Sequence, residues 1–163
     1  MRNLLSASFR FLYAVAALGS AGALNGCLAP SSDARSSISL ERTECYGPCP
    51  VYRFTLYSDG GYLWEGRAHV SVKGILRGSM STQAYATAMQ LLRDARYPEF
   101  IGRHECEIEV TDNPTVKIVV ADASRQQTIT HYVGCRGFPR QEVLTQLEDN
   151  LDKVFRTRRF TGR

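Results

Sequence analysis

Residues 51–66 leave the chain little choice of local structure. Val51-Tyr52-Arg53-Phe54-Thr55-Leu56-Tyr57 alternates, with Tyr52, Phe54 and Leu56 on one face and Arg53 and Thr55 on the other. Side chains of an extended strand point to opposite faces in turn, so this pattern fits a strand with one face buried. Ser58-Asp59-Gly60-Gly61 supplies residues that tolerate the positive φ of a tight turn, and Tyr62-Leu63-Trp64-Glu65-Gly66 runs back. A β-hairpin is predicted here. A two-stranded hairpin is at best marginally stable alone, so the rest of the chain must supply more sheet and a cover for its apolar face.

More sheet is readable further on. Thr115–Val120 and Thr128–Val133 flank a polar turn at Asp122–Gln126, and shorter strands are predicted around Ile38–Glu44 and His69–Ser79, the latter broken at Lys73-Gly74. These connections are too short for parallel crossovers, so the sheet is expected to be antiparallel. Two segments have helical periodicity. Ser81 is a suitable N-cap for a stripe of Tyr85, Ala88, Leu91, Leu92 and Ala95 that ends at Pro98. Pro139 occupies a favoured first helical position ahead of Val143, Leu144, Leu147, Leu151, Val154 and Phe155. The predicted fold is α+β, an antiparallel sheet of hairpins with two helices packed on one face. A length of 163 residues suits one such domain, and 44% hydrophobic residues give it a core.

The chain begins with Arg2 and Arg10, a short apolar run over Phe11–Leu18, and small residues leading to Leu24-Asn25-Gly26-Cys27. These are the parts of a secretory signal, and the run is too short and too glycine-interrupted for a membrane-spanning helix. Leu24-Asn25-Gly26-Cys27 resembles the lipobox of bacterial lipoproteins, apart from Asn25 where Ala or Ser is commoner. That resemblance implies cleavage before Cys27 and lipidation of its thiol. Several acyl chains, at about 0.8 kcal/mol per buried methylene, would tether the protein to a membrane without spanning it. Leu28 is not the aspartate that marks inner-membrane retention, so the resemblance favours the outer membrane, facing the periplasm. Domain boundaries follow: a signal peptide over 1–26, a lipidated N-terminus and Ser-rich tether over 27–37, one domain over 38–155, and a basic tail over 156–163.

The formal charge of +4 is concentrated at the two ends. Setting aside Arg2, Arg10, Arg156, Arg158, Arg159 and Arg163 leaves 14 basic against 16 acidic residues, a net −2 for the body. Nucleic-acid binding would need a basic surface on the body itself, so no nucleic-acid partner is expected. The terminal arginines read as a frayed end, with contact to anionic lipid or peptidoglycan-associated polymer as the lesser alternative.

Once Cys27 is assigned to lipid, four cysteines remain: Cys45, Cys49, Cys106 and Cys135. An even number in an exported chain favours two disulfides, and sequence alone permits three pairings. Cys45 with Cys49 and Cys106 with Cys135 is preferred, because Gly47-Pro48 can turn the first pair back on itself. A redox-active dithiol at Cys45 and Cys49 is the first alternative. It is disfavoured by the Cys-X-X-X-Cys spacing and by the strand, not a helix, that follows. A zinc site using these thiols with His131 or His104 is a second. Glu105, Glu107 and Glu109 alternate along an extended segment and with Asp112 could bind a cation, but a solvated strand face is the simpler expectation. His69, His104 and His131 do not have triad spacing, and no catalytic residue, cofactor or metal is assigned. The aromatics Tyr52, Phe54, Tyr57, Tyr62 and Trp64 could line a groove, though hairpins normally commit such residues to the core.

Cys45-Tyr46-Gly47-Pro48-Cys49-Pro50-Val51-Tyr52, then Tyr57-Ser58-Asp59-Gly60 and Tyr62-Leu63-Trp64-Glu65-Gly66, resembles the opening of a bacterial family catalogued as domain of unknown function 6438. Thr111-Asp112-Asn113-Pro114 ahead of a strand and the proline-started last helix extend the likeness to about residues 38–155. The resemblance implies no activity. It implies an often secreted or lipid-anchored setting, and it supports pairing Cys45 with Cys49 as an independent unit. The function expected from sequence is that of a non-catalytic, disulfide-stapled envelope domain that binds an unidentified protein or small molecule. A thiol-disulfide redox protein and a metal-binding envelope protein are the alternatives.

Overall fold

A computed structural model describes residues 35–102 and 104–163. Cys27 and its lipobox lie outside the described residues. Strand β1 (Ser37–Arg42) starts inside the expected tether, at its last residue, and is followed by β2 (Val51–Tyr57), β3 (Gly61–Ala68) and β4 (Gly74–Ser79). Helix α1 (Thr82–Asp94) and a 3-10 turn (Tyr97–Phe100) come next. Then β5 (Ile108–Glu109), β6 (Thr115–Ala121), β7 (Gln126–Tyr132) and β8 (Cys135–Arg136) lead to α2 (Gln141–Phe155) and a short α3 (Arg158–Thr161). Six strands form one antiparallel sheet in the order β4-β3-β2-β1-β6-β7, and β5 pairs with β8 beside it. The fold is α+β, as the sequence predicts.

Register follows from the alternation of each strand. Ile38, Leu40 and Arg42 of β1 stand opposite Leu56, Phe54 and Tyr52 of β2 and opposite Val120, Ile118 and Val116 of β6. A shift of one residue would put every apolar member on the solvent side. Against this inner face pack Ala88 and Leu92 of α1 and Leu144, Leu147, Leu151 and Phe155 of α2, all buried. Ser81 caps α1, its Oγ accepting from the Gln83 N–H at 3.2 Å. At the first hairpin, Gly60 has φ 86°, and a Cβ there would lie 2.5 Å from the Met80 carbonyl oxygen.

Helix α2 departs from expectation at its start. Pro139 lies in a turn ahead of the helix, Arg140 is left-handed at φ 62°, and the first helical residue is Gln141. The Arg140 guanidinium holds this turn by donating to Glu99 and, at 2.8 Å, to the Ala95 carbonyl.

The larger correction concerns the C-terminus. Residues 156–163 are not a frayed tail. Phe160 is buried, stacks on Trp64 at a centroid distance of 4.8 Å and touches Phe54 and Tyr62 at 6.0 Å each. Thr157 and Thr161 are buried beside it, and the Val72 N–H donates to the Phe160 carbonyl at 2.9 Å. Four arginines in eight residues masked a single aromatic wedge. Of the aromatics considered for a groove, Tyr52, Phe54, Tyr62 and Trp64 are members of the core cluster that receives it or pack against that cluster, and Tyr57 is half-buried with the Arg35 guanidinium 4.9 Å from its ring centroid. Phe160→Ala should therefore cost about 3–5 kcal/mol in chemical denaturation, the usual cost of removing a buried phenyl ring, where a frayed end would give no change.

The outer face is polar and alternates in sign across the strands: Glu65, Arg53, Glu41 and Lys117 stand in register on β3, β2, β1 and β6. Glu41 is buried among them. It accepts from Arg53 at 2.5 and 3.1 Å and from Arg67 at 3.0 Å. Burial pushes its carboxyl up, but the hydrogen bonds and charge of Arg53, then Arg67, outweigh that and hold its pKa below the ordinary value. A carboxylate depressed in the folded state contributes stability above the unfolded value of about 4.3 and loses it as pH falls through the folded value. Glu41→Gln should thus flatten the acid limb of the stability profile below about pH 4.3, measured by denaturant midpoints across pH.

Candidate binding site at the disulfide-stapled end

The ends of the sheet differ in chemistry. Ser37, where the chain enters β1, pairs with Tyr57 and Ala121 at one end; Arg42 pairs with Tyr52 and Val116 at the other. Both disulfides belong to the Arg42 end. Cys45 is joined to Cys49, with Cα atoms 5.8 Å apart, within the connection from β1 to β2. Cys106 is joined to Cys135, 5.1 Å apart, just before β5 and in β8. These are the two pairs preferred from sequence, so all four thiols of the domain are taken up in bonds. Tyr46, inside the five-residue Cys45–Cys49 loop, is 90% exposed. The loop is tied to the rest of the domain on two sides. The Tyr46 N–H donates to the Asp112 carbonyl at 3.0 Å, and Arg163 Nη2 donates to the Pro48 carbonyl and, at 3.2 Å, to that of His69.

Beside this loop Asp152 of α2 gathers four donors. Its Oδ2 accepts from Arg42 Nε and Nη2 at 2.9 and 2.7 Å, and its Oδ1 accepts from the Tyr52 hydroxyl at 2.5 Å and the Thr157 hydroxyl at 2.7 Å. One carboxylate thereby joins β1, β2, α2 and the entry to α3. Burial and the Asp152 charge both push the Tyr52 hydroxyl up, so it stays protonated as a donor. Burial works against the charge on Arg42, but Asp152 outweighs it and keeps the guanidinium charged.

Above this cluster opens a cleft of about 640 Å³. Pro50, Tyr52 and Asp152 line it, and its rim carries Lys153, Arg156, Arg158, Arg159 and Arg163 together with Asp149. Among the described residues none of those five cations is paired with a carboxylate. The four arginines are the ones the sequence set aside as a tail. Neither Asp152 nor this cleft was foreseen. Asp152 follows the stripe residue Leu151, so periodicity assigns it to the helix flank, and its partner Arg42 is 110 residues away.

A second cleft, of about 480 Å³, lies beside the Cys106–Cys135 bond and is lined by Thr115, Thr128, Thr130, Tyr132, His104 and Glu109 among others. Behind it His131 is buried, its Nδ1 2.7 Å from Glu148 Oε1, and the His104 ring stacks on Phe138 at 4.4 Å. Burial, and less strongly His131, hold the His104 pKa low. Burial pushes the Glu148 carboxyl up against the pull of His131 and then Arg42. Glu148 occupies an apolar-stripe position of α2, four residues after Leu144, which is the one sequence signal that could have marked it.

The row of carboxylates at Glu105, Glu107 and Glu109 does not form the face of a long strand. The Cys106–Cys135 bond pins the segment, and only Ile108 and Glu109 pair. Among the described residues no three His, Cys, Asp or Glu come together as metal ligands would.

A family model described as domain of unknown function matches residues 36–155. The chain belongs to the DUF6438 family. Among curated proteins there is no match. The DUF6438 match runs from the residue before β1 to the last residue of α2, so α3 and the arginines around it lie beyond the matched span.

Asp152→Ala should destabilise the DUF6438 domain by about 3–5 kcal/mol, as expected when one partner of a largely buried ion pair is removed. Tyr52→Phe removes one hydrogen bond and should cost about 1 kcal/mol. Denaturant titration of the two variants checks both.

Proposed function

We propose that this protein is a lipid-anchored cell-envelope binding domain. The acylated Cys27 tethers it, and the disulfide-stapled end is the end it presents to a partner. The observation that carries this is the placement of chain entry and cleft at opposite ends of β1. Six residues at about 3.4 Å each put roughly 17 Å between them. The tether therefore joins the domain at the end remote from Tyr46 and the cleft. An exposed tyrosine on a disulfide-closed loop that Arg163 also contacts has the composition of an interface anchor, because Tyr and Arg combine large contact area with strong hydrogen bonding. The disulfides support a structural role for the cysteines. Cys106–Cys135 closes a loop of about thirty residues, for which the chain-entropy model gives roughly 3–4 kcal/mol. Cys45–Cys49 sits in a strand-to-strand turn, not at the helix N-terminus that would activate a thiol. The leader sequence supports an exported, oxidising location, with the outer membrane favoured by Leu28.

The test is the mass of the exported chain, with thiol alkylation before and after reduction. The expected result is a mature chain starting at Cys27 and carrying acyl mass, with Cys45, Cys49, Cys106 and Cys135 resistant to alkylation until strong reductant is added. An unacylated Cys27 would sink the anchor. A Cys45–Cys49 bond in rapid exchange with glutathione would replace the binding role with thiol-disulfide chemistry.

A further inference from the structure

We propose that the cleft formed by Pro50, Lys153, Arg156, Arg158, Arg159 and Arg163 is a binding site for a phosphate-bearing ligand. This deepens the binding role proposed above and rests on it. Three features of the cleft point to this chemistry.

The first is unbalanced charge. Five cations share the rim, and the carboxylate below them is already committed. Asp152 is saturated by Arg42, Tyr52 and Thr157, and Arg42 is the cation it neutralises. Asp149 is the remaining side-chain carboxylate at the cleft, and it lies 3.8 Å from Arg42. Like charges that share one cleft repel one another, and an anion bound among them relieves that repulsion. Apart from Lys153, the body from Cys27 to Phe155 has 13 basic against 16 acidic residues, a net −3, so the positive field is local.

The second is preorganisation. Arg158 and Arg159 lie on a short helix that is wedged by Phe160 and ended by Gly162 at φ 81°, with Arg156 at the C-cap of α2 just before it and Arg163 just after it. Arg163 spans from that helix to the disulfide loop through the Pro48 carbonyl. Four of the five cations thus sit on a backbone fixed by core packing. Less freedom is lost on binding than from a mobile tail. Arginine forks match phosphate oxygens two at a time, which selects phosphate over a single-point anion.

The third is size. About 640 Å³ is far more than a lone phosphate fills and falls within the range of organic-ligand sites. With Pro50 in the wall, the site suits a phosphate attached to an organic body. A phosphorylated sugar and a phospholipid headgroup share that chemistry. A long nucleic acid does not suit it, because the cations occupy one cleft and do not extend as a stripe over the acidic body.

The experiment uses the full chain extracted into a neutral detergent. It is titrated calorimetrically with inositol hexakisphosphate, and separately with phosphatidylglycerol dispersed in the same micelles. Saturable binding of the first alone supports a soluble phosphorylated ligand, of the second alone a headgroup, and of both a site open to either source. The Arg158→Gln/Arg159→Gln variant should weaken binding by about tenfold or more, as expected for lost charge-assisted hydrogen bonds. Lys153→Gln provides an independent probe from α2. The equal-charge control Arg77→Gln/Arg93→Gln, at exposed sites on β4 and α1, should shift affinity by less than about twofold, within the range of a screened distant charge. Binding of neither probe overturns the proposal, and so does a control that loses as much as the cleft variant. Either failure leaves the acyl mass and thiol results untouched, and a missing acyl group leaves phosphate binding measurable, so the two proposals fail separately.

Discussion

Asp152 is the point on which the far end of this domain depends. A carboxylate removed from water is costly unless charge and hydrogen bonds replace its hydration, and here Arg42, Tyr52 and Thr157 together do so. The consequence is geometric as much as energetic. Arg42 ends β1, Tyr52 is the second residue of β2, and Thr157 begins the last turn of the chain. When one group satisfies all three, the disulfide loop between β1 and β2 and the C-terminal helix are brought to one place. Phe160 then completes the core over Trp64 and Phe54, and Arg163 closes onto the loop.

Two kinds of constraint divide the work along the sheet. In the centre, hydrophobic alternation fixes register and needs no covalent help: β1 lies between β2 and β6, and its apolar residues meet apolar residues on both sides. At the Arg42 end the chain makes its least regular excursions, and there covalent bonds replace burial. The Cys45–Cys49 loop leaves Tyr46 exposed, and β5 and β8 are only two residues each. The Cys106–Cys135 bond holds strands too short to hold themselves. A surface built this way combines exposure with rigidity, which a loop held only by packing does not.

What could be read in the sequence follows the same division. Strands β2, β3, β6 and β7 and the face of α2 were legible because each rests on a local period. Ser81 was legible because a cap is a three-residue relationship. The place of β1 between β2 and β6 was not, because it depends on contacts made some eighty residues apart. The start of α2 was misplaced because Pro139 suits a turn as well as a first helical position, and the Arg140 contacts to Glu99 and Ala95 decide between them. For the site, the cysteine pairs were legible from spacing and turn residues. Asp152 was hidden because its three partners are far away in sequence or masked by the helix end.

The C-terminal arginines show most plainly how composition can mislead. Read as a string, Arg156-Thr157-Arg158-Arg159-Phe160-Thr161-Gly162-Arg163 has one large apolar residue and four charges, the composition of an end that frays. Composition counts residues, whereas burial depends on where a single one lands. Phe160 fits beside Trp64, and a four-residue helix that could not stand alone becomes part of the core. The charges then change meaning. On a mobile tail four arginines spread apart and are screened by water and salt; on and around a fixed helix beside Lys153 they concentrate a positive field over a single cleft. The same eight residues that looked like the least structured part of the chain therefore set both the closure of its core and the chemistry of the cleft beside it.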